Sequence, residues 1–279
     1  MTSGVFAAVI FAALLHAGWN AIIKFGEDKF QGMVLLSVAH GVIGAGMIMV
    51  FPAPSPAALG WLAASVGFHL WYKAFLTGAY HRGDLSRVYP IARGTAPLVV
   101  LGISALLLSD TLRLIEACGI VAVGLGIFMM ARGVFANREA ATLVPFALMA
   151  ALGTAGYSIS DGMGARLSGS VSGYVGWLFF LDACLFTGWG IARRGRGLLP
   201  RNWRVLTLGL FAGMASVGAY WIAVWAMTKA PIAIVTALRE TSVLFAVLIG
   251  VVFLGETADR TKILAACVIL AGIVIMRAF

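Results

Sequence analysis

The chain is poor in charge: 11% of its 279 residues are Asp, Glu, Lys or Arg, where a soluble globular protein carries roughly a quarter. Cysteine is scarce as well. Cys118, Cys184 and Cys267 stand far apart inside apolar runs, with no CxxC or Cys/His spacing, which argues against a disulfide framework and against a bound metal. None of the glycine clusters follows a strand or adjoins a Lys-Ser/Thr pair, so the chain does not use ATP directly and no cofactor is implied. HExxH and aspartate-rich prenyl motifs are missing too, and isolated Asp161 and Asp182 are a poor substitute for paired acids. A membrane-embedded lipid-modifying enzyme is therefore the weaker alternative, and the chain is not expected to be an enzyme.

What the chain has in abundance is apolar material, 61% of residues at a mean hydropathy of +0.99. It comes in runs of about twenty residues, each able to cross a hydrocarbon core of ~30 Å at ~1.5 Å per residue. Barrel strands would instead alternate over about ten residues. The fold class is all-α integral membrane. Spans are predicted near residues 4–24, 32–51, 58–80, 85–108, 112–131, 143–160, 172–192, 205–227, 231–254 and 262–278, giving ten transmembrane helices. The formal charge of +9 lies mostly in short loops between these runs, which reads as membrane-surface charge and not as nucleic-acid binding. No basic segment precedes the first run, and it is longer than a signal core, so it reads as a retained span.

The chain repeats itself. "IARGTAPLVVLGISALLLSDT" (91–111) aligns with "ALRETSVLFAVLIGVVFLGET" (237–257) at a constant offset of 146, placing Arg93 on Arg239, Thr95 on Thr241 and Asp110-Thr111 on Glu256-Thr257. The same offset carries Gly126-Ile127 onto Gly272-Ile273, and "AGWN" (17–20) pairs with "AGYS" (155–158) at a slightly shorter one. Each half, 1–136 and 137–279, holds five spans. An odd number makes the second half enter from the opposite side, so two inverted five-helix repeats are expected, able to rock around one central site.

The fourth span, "SRVYPIARGTAPLVV" (86–100), carries Arg93 between Pro90 and Pro97. An arginine at a helix centre costs roughly 2.5 to 3.5 kcal/mol on insertion scales, and proline removes a backbone donor. Both are tolerated where they face protein or water. Arg93 and Arg239 are thus expected to bracket the midplane and hold a substrate carboxylate or phosphonate, with Pro90 and Pro97 as a bend or gate. The competing expectation is that each arginine snorkels or pairs with an acid, Arg239 with Glu240 or Asp182. His16 and Asn20, with Trp19 beside them, share one helix face, as do His69 and Lys73. These pairs are expected either to bind a zwitterion or to hold the bundle together, and His16 is a candidate proton site. Tyr89, Tyr157, Tyr220, Trp221, Trp225, Trp71, Tyr72 and Phe75 are candidate cavity aromatics. Were Asp161, Asp182 and Glu240 to face the cavity in place of the arginines, the substrate would be an organic cation or drug.

The segments "LLHAGWNAIIKFGED" (14–28), "AYHRGDLSRVYPIARGTAPLVV" (79–100) and the acidic caps "SDT" and "GET" resemble the ten-span, EamA-type members of the drug/metabolite transporter superfamily, over essentially the whole chain. The resemblance implies a secondary transporter of small organic metabolites, often an exporter. Its cavity would be lined by helices one, three, four, six, eight and nine. Together with the buried basic residues, it points to a small anionic or zwitterionic metabolite such as an amino acid. The implied partners are that substrate, membrane lipid, and a proton or counter-substrate, with monomer and homodimer both open. The implied location is a multi-pass position in the bacterial inner (plasma) membrane. Family members carry both termini in the cytoplasm, whereas Lys and Arg concentrate in the odd-numbered loops, which by the positive-inside rule puts both termini outside. Orientation stays open between the two.

Overall fold

A computed structural model describes residues 1–24, 29–80, 85–108, 110–130, 140–195, 202–254 and 260–278. Among these residues the chain is helical, without strands: α1 (Ser3–Lys24), α2 (Lys29–Val50), α3 (Pro56–Tyr80), α4 (Leu85–Leu107), α5 (Leu114–Met130), α6 (Ala140–Leu167), α7 (Val171–Arg194), α8 (Trp203–Met227), α9 (Ile232–Arg239), α10 (Ser242–Leu254) and α11 (Arg260–Ala278). Each predicted span is present, the ninth as two helices. Among the described residues, six spans are long and apolar enough to cross a membrane by themselves: those of α1, α2, α6, α7 and α8, and α9 with α10 taken together. The apolar parts of α4 and α5 are shorter, Ile91–Leu107 and Leu114–Met130.

Helix ends are closed by local chemistry. Ser170 accepts from the Gly173 N–H at the start of α7, and Asn202 accepts from the Arg204 N–H at the start of α8, each satisfying an otherwise orphaned donor. Glu116 reaches back to the Arg113 N–H at 2.8 Å, half of a capping box for α5. α7 stops at Gly195, whose φ of 75° suits a residue without a Cβ.

The helices pack in a crossed pattern: α3 lies mainly on α6, α1 on α8, α2 on α7 and α5 on α11. Small residues set the two last contacts. A Cβ on Gly119 would stand 2.8 Å from the Gly272 carbonyl oxygen, and one on Gly272 would stand 2.7 Å from that of Gly119. Gly126 similarly abuts Ala265 and Ile269. Between α2 and α7, Gly41 meets Ala183 and Gly44 meets Gly176 and Phe180. Both pairs run antiparallel, and the missing side chains let the backbones touch.

Connections two, four, six and eight share one face. Ser55 donates through its N–H to the Ser168 carbonyl and through its Oγ to that of Leu167. Arg166, at the end of α6, donates to Asp110 at 2.7 and 3.1 Å and to the carbonyls of Met227 and Ala230. Asp110 in turn accepts from the Ile232 N–H at 3.0 Å, capping α9, whose own leading Pro231 makes no side-chain cap.

The helix break falls where the sequence reading did not expect it. α4 runs on through Pro90 and Pro97, whereas the ninth span, which has no proline inside it, parts at Glu240–Thr241. There the backbone closes in three-residue steps, Glu240 N–H to Ala237 and Thr241 N–H to Leu238, and Thr241 Oγ1 also donates to the Leu238 carbonyl. Side-chain bonding to nearby backbone carbonyls of this kind competes with the regular helix ladder.

Candidate functional site

The break sets Arg239, Glu240, Thr241 and Ser242 in the protein interior, against α4. Arg93, 3% exposed, donates through Nε to Glu240 Oε2 at 2.9 Å and through Nη2 to Ser242 Oγ at 3.5 Å. Glu240 is 1% exposed, so this is a fully desolvated ion pair joining the fourth span to the ninth. Such a pair contributes little net stability, but removal of one partner is costly because the other charge is left without compensation.

Arg239 is in a different position. It is 8% exposed, and its guanidinium lies 5.1 Å from the centre of the Tyr220 ring. Among the described residues it makes no salt bridge and no hydrogen bond, although Glu240 is within electrostatic reach. Thus Glu240 pairs with Arg93, not with Arg239, and Asp182 does not serve Arg239 either. The two arginines, aligned in sequence, are unequal in space: Arg93 is ion-paired, and among the described residues Arg239 is not.

The wall beyond Arg239 is aromatic and hydroxylic. The Tyr220 hydroxyl donates to Asp161 Oδ2, and the Tyr174 hydroxyl donates to Asp161 Oδ1 at 3.1 Å. His69 stacks on Tyr157 with centroids 4.2 Å apart and meets the edge of Tyr220 at 5.6 Å, its Nδ1 lying 3.0 Å from the Ser65 carbonyl. On α1, His16 lies within electrostatic reach of both Arg93 and Arg239 and packs edge-on against Trp19 at 5.1 Å. Trp19 Nε1 is buried without a partner among the described residues.

Several expected site residues sit elsewhere. Asn20 shares a helix face with His16 but spends its Nδ2 on the His16 carbonyl, 2.7 Å away. Lys73 separates from His69: its Nζ bonds Asp182 Oδ2 at 2.5 Å and lies 4.4 Å from the Phe186 ring centre. Trp221 and Trp71 are exposed on the outer surface, bonding Ser172 and the Met149 carbonyl, because their helices turn those positions toward lipid. The side chains of Tyr89 and Pro90 lie outside the described residues, while Pro97 is buried in α4. The pairing roles of Ser65, Tyr174 and Ser242, and the presence of His40, went unread in the sequence. For His40 a signal was there, an ionisable residue inside an apolar run. The remaining three are hydroxyl residues that spacing does not mark. A groove of about 420 Å³ lies apart from this cluster, between α1 and α10, lined by Phe6, Ala7, Ile10, Phe11, Leu14 and Phe245. Its lining is apolar, so it does not substitute for the polar interior.

A bundle of membrane-crossing helices with buried, paired charges and a broken span defines a multi-pass membrane protein. Residues 142–278 match the EamA-like transporter family, which lies within the drug/metabolite transporter superfamily, and this match indicates a membrane transporter of that type. Over 99% of both chains it also resembles a solved structure described as "Crystal structure of protein", with a TM-score of 0.77 and 16% identity, a likeness of fold. No curated protein sequence matches the chain.

Proposed function

We propose that the chain is a secondary transporter, acting as an exporter, of a small anionic or zwitterionic metabolite such as an amino acid, and that Arg239 holds the substrate carboxylate. The observation that carries this is the buried guanidinium with neither salt bridge nor hydrogen bond among the described residues. A largely buried cation without a bonded counter-ion is costly, and a carboxylate arriving at its fork would supply two charge-assisted bonds. An ammonium group on the same substrate would find the aromatic rings of Tyr220 and Tyr157 nearby. His16 and Trp19 Nε1 lie on the α1 side of the same space.

Two halves, 1–136 and 137–279, would alternate access by rocking as inverted repeats. Supporting this, the contacts of Gly126 with Ala265 and Ile269 become, under the offset of 146, those of Gly272 with Gly119 and Val123. Antiparallel helices that exchange with each other in this way are what a two-fold axis in the membrane plane would produce. The pairings α3 on α6 and α8 on α1 exchange likewise. Asp110 and Arg166 would fasten the face they occupy when the site opens to the other.

A cationic substrate held by Asp182 or Glu240 is the second reading. It ranks lower because both acids already hold cations, Lys73 and Arg93. Purified protein in liposomes, preloaded with unlabelled amino acids and assayed for uptake of labelled ones, tests the proposal. Saturable, counterflow-stimulated uptake that Arg239→Ala weakens is expected. Stimulation by organic cations alone would transfer the site to the acids.

A further inference from the structure

Four buried side-chain atoms on α2 and α7 have no hydrogen-bond partner among the described residues: Ser37 Oγ, His40 Nε2, Asp182 Oδ1 and Thr187 Oγ1. They belong to one seam. The antiparallel register that sets Gly41 against Ala183 and Gly44 against Phe180 sets Ser37 opposite Thr187, with His40 and Asp182 about one turn further along. His40 packs on Phe179 at 4.5 Å, and Asp182 Oδ2 takes the Lys73 ammonium from α3. A dry helix contact has no use for four buried polar atoms in one strip that no protein group satisfies. Something small and hydrogen-bonding belongs there.

We propose that Asp182, with His40 and Lys73, forms a proton-binding site reached along the Ser37–Thr187 side of the seam, and that its proton drives the substrate site. The proposal rests on the transport reading above for its coupling, but not for proton binding itself. The proton adds to Asp182 and turns a carboxylate into a neutral acid with a donor of its own. That cancels the ionic hold on Lys73 Nζ, one of the links between α7 and α3. One turn before Lys73 on α3 stands His69, which touches Tyr157 and Tyr220 beside Arg239. Loosening α3 from α7 thus acts on the wall of the substrate site. A metal cation is the poorer occupant, because the Lys73 ammonium already fills the cation's place at the carboxylate.

The groups that face Asp182 are His40 from α2 and Lys73 and His69 from α3. α6 and α8 bring Asp161 and Tyr220 to α7 nearer its start, at Tyr174 and Phe179.

Infrared difference spectra of the full chain in liposomes, recorded across a pH titration, read carboxylic-acid carbonyl stretches directly. One such band is expected to titrate in the parent protein and to vanish in Asp182→Asn. In Lys73→Met, which keeps the acid and removes its counter-ion, the midpoint should rise by about 1 to 3 pH units; this variant decides the matter if Asp182→Asn does not fold. A titration unchanged in both variants overturns the proposal. Labelled amino acids provide the second arm: Asp182→Asn should retain counterflow and lose accumulation driven by a pH gradient. Accumulation equal to the parent's overturns coupling at Asp182. If the parent shows no counterflow with any amino acid, the substrate assignment fails, and the infrared arm still decides the proton site.

Discussion

Replacing Arg239 or Arg93 by alanine should damage the protein in opposite ways, although the two positions are equivalent in sequence. Arg239 makes no salt bridge or hydrogen bond among the described residues; its alanine variant gives up a cation–π contact of about 0.5 to 2 kcal/mol, and it is also relieved of a buried unpaired charge. The loss of fold stability is therefore small. Substrate binding suffers instead: one hydrogen bond to a charged partner is worth about 1.5 to 3 kcal/mol, so KM should rise by about 10- to 150-fold. Arg93→Ala leaves Glu240, 1% exposed, as an orphaned carboxylate. Breaking a buried pair from one side costs about 3 to 5 kcal/mol, or a fall in Tm of about 6 to 20 °C at the sensitivity typical of chains near this size. Adding Glu240→Gln to Arg93→Met should recover much of that loss, since the pair itself is close to neutral in energy. Tryptophan fluorescence during heating in detergent measures the stability, and counterflow into liposomes measures KM. Equal falls in Tm for the two alanine variants, or an unchanged KM for Arg239→Ala, would refute the assignment of one committed and one available arginine.

Three further outcomes follow from particular contacts. Arg166→Ala removes the bonds that tie Asp110 to the carbonyls of Met227 and Ala230, so a thiol introduced as Ala230→Cys should react faster with an impermeant maleimide; equal rates in the two backgrounds would mean the cluster does not fasten that face. Gly44→Ala brings a Cβ to 2.8 Å from backbone atoms of Gly176 and Phe180, which cannot give way as a flexible side chain could, and should cost about 1 to 3 kcal/mol, read as a lower Tm. Changing Gly46, where a Cβ meets nothing within 4 Å, provides the control. His16→Gln should leave the pH profile of flux in place while altering KM, because the proton is assigned to Asp182; a flattened profile would return it to His16.

Much of the architecture was legible because lipid imposes it. A backbone in hydrocarbon has to satisfy its own hydrogen bonds, so apolar runs of sufficient length become helices whatever their neighbours do, and every predicted span is present. The arginines at 93 and 239 stood out for the same reason, as charges where charge is costly. The bend was misjudged: proline in α4 is accommodated within a continuous helix, while the ninth span breaks at Glu240–Thr241, where hydroxyl-to-carbonyl bonding and the pull of Arg93 on Glu240 outweigh the helix pattern.

The sequence by itself determined the membrane-crossing helices and the set of charges inside them, since hydropathy is a property of the chain alone. Which charge meets which was decided only by tertiary structure. Arg93 found Glu240 at 147 positions' distance and Lys73 found Asp182 at 109, because the partners of an ion pair are chosen by the relative rotation and depth of packed helices. Neither quantity is carried by spacing along any one of them.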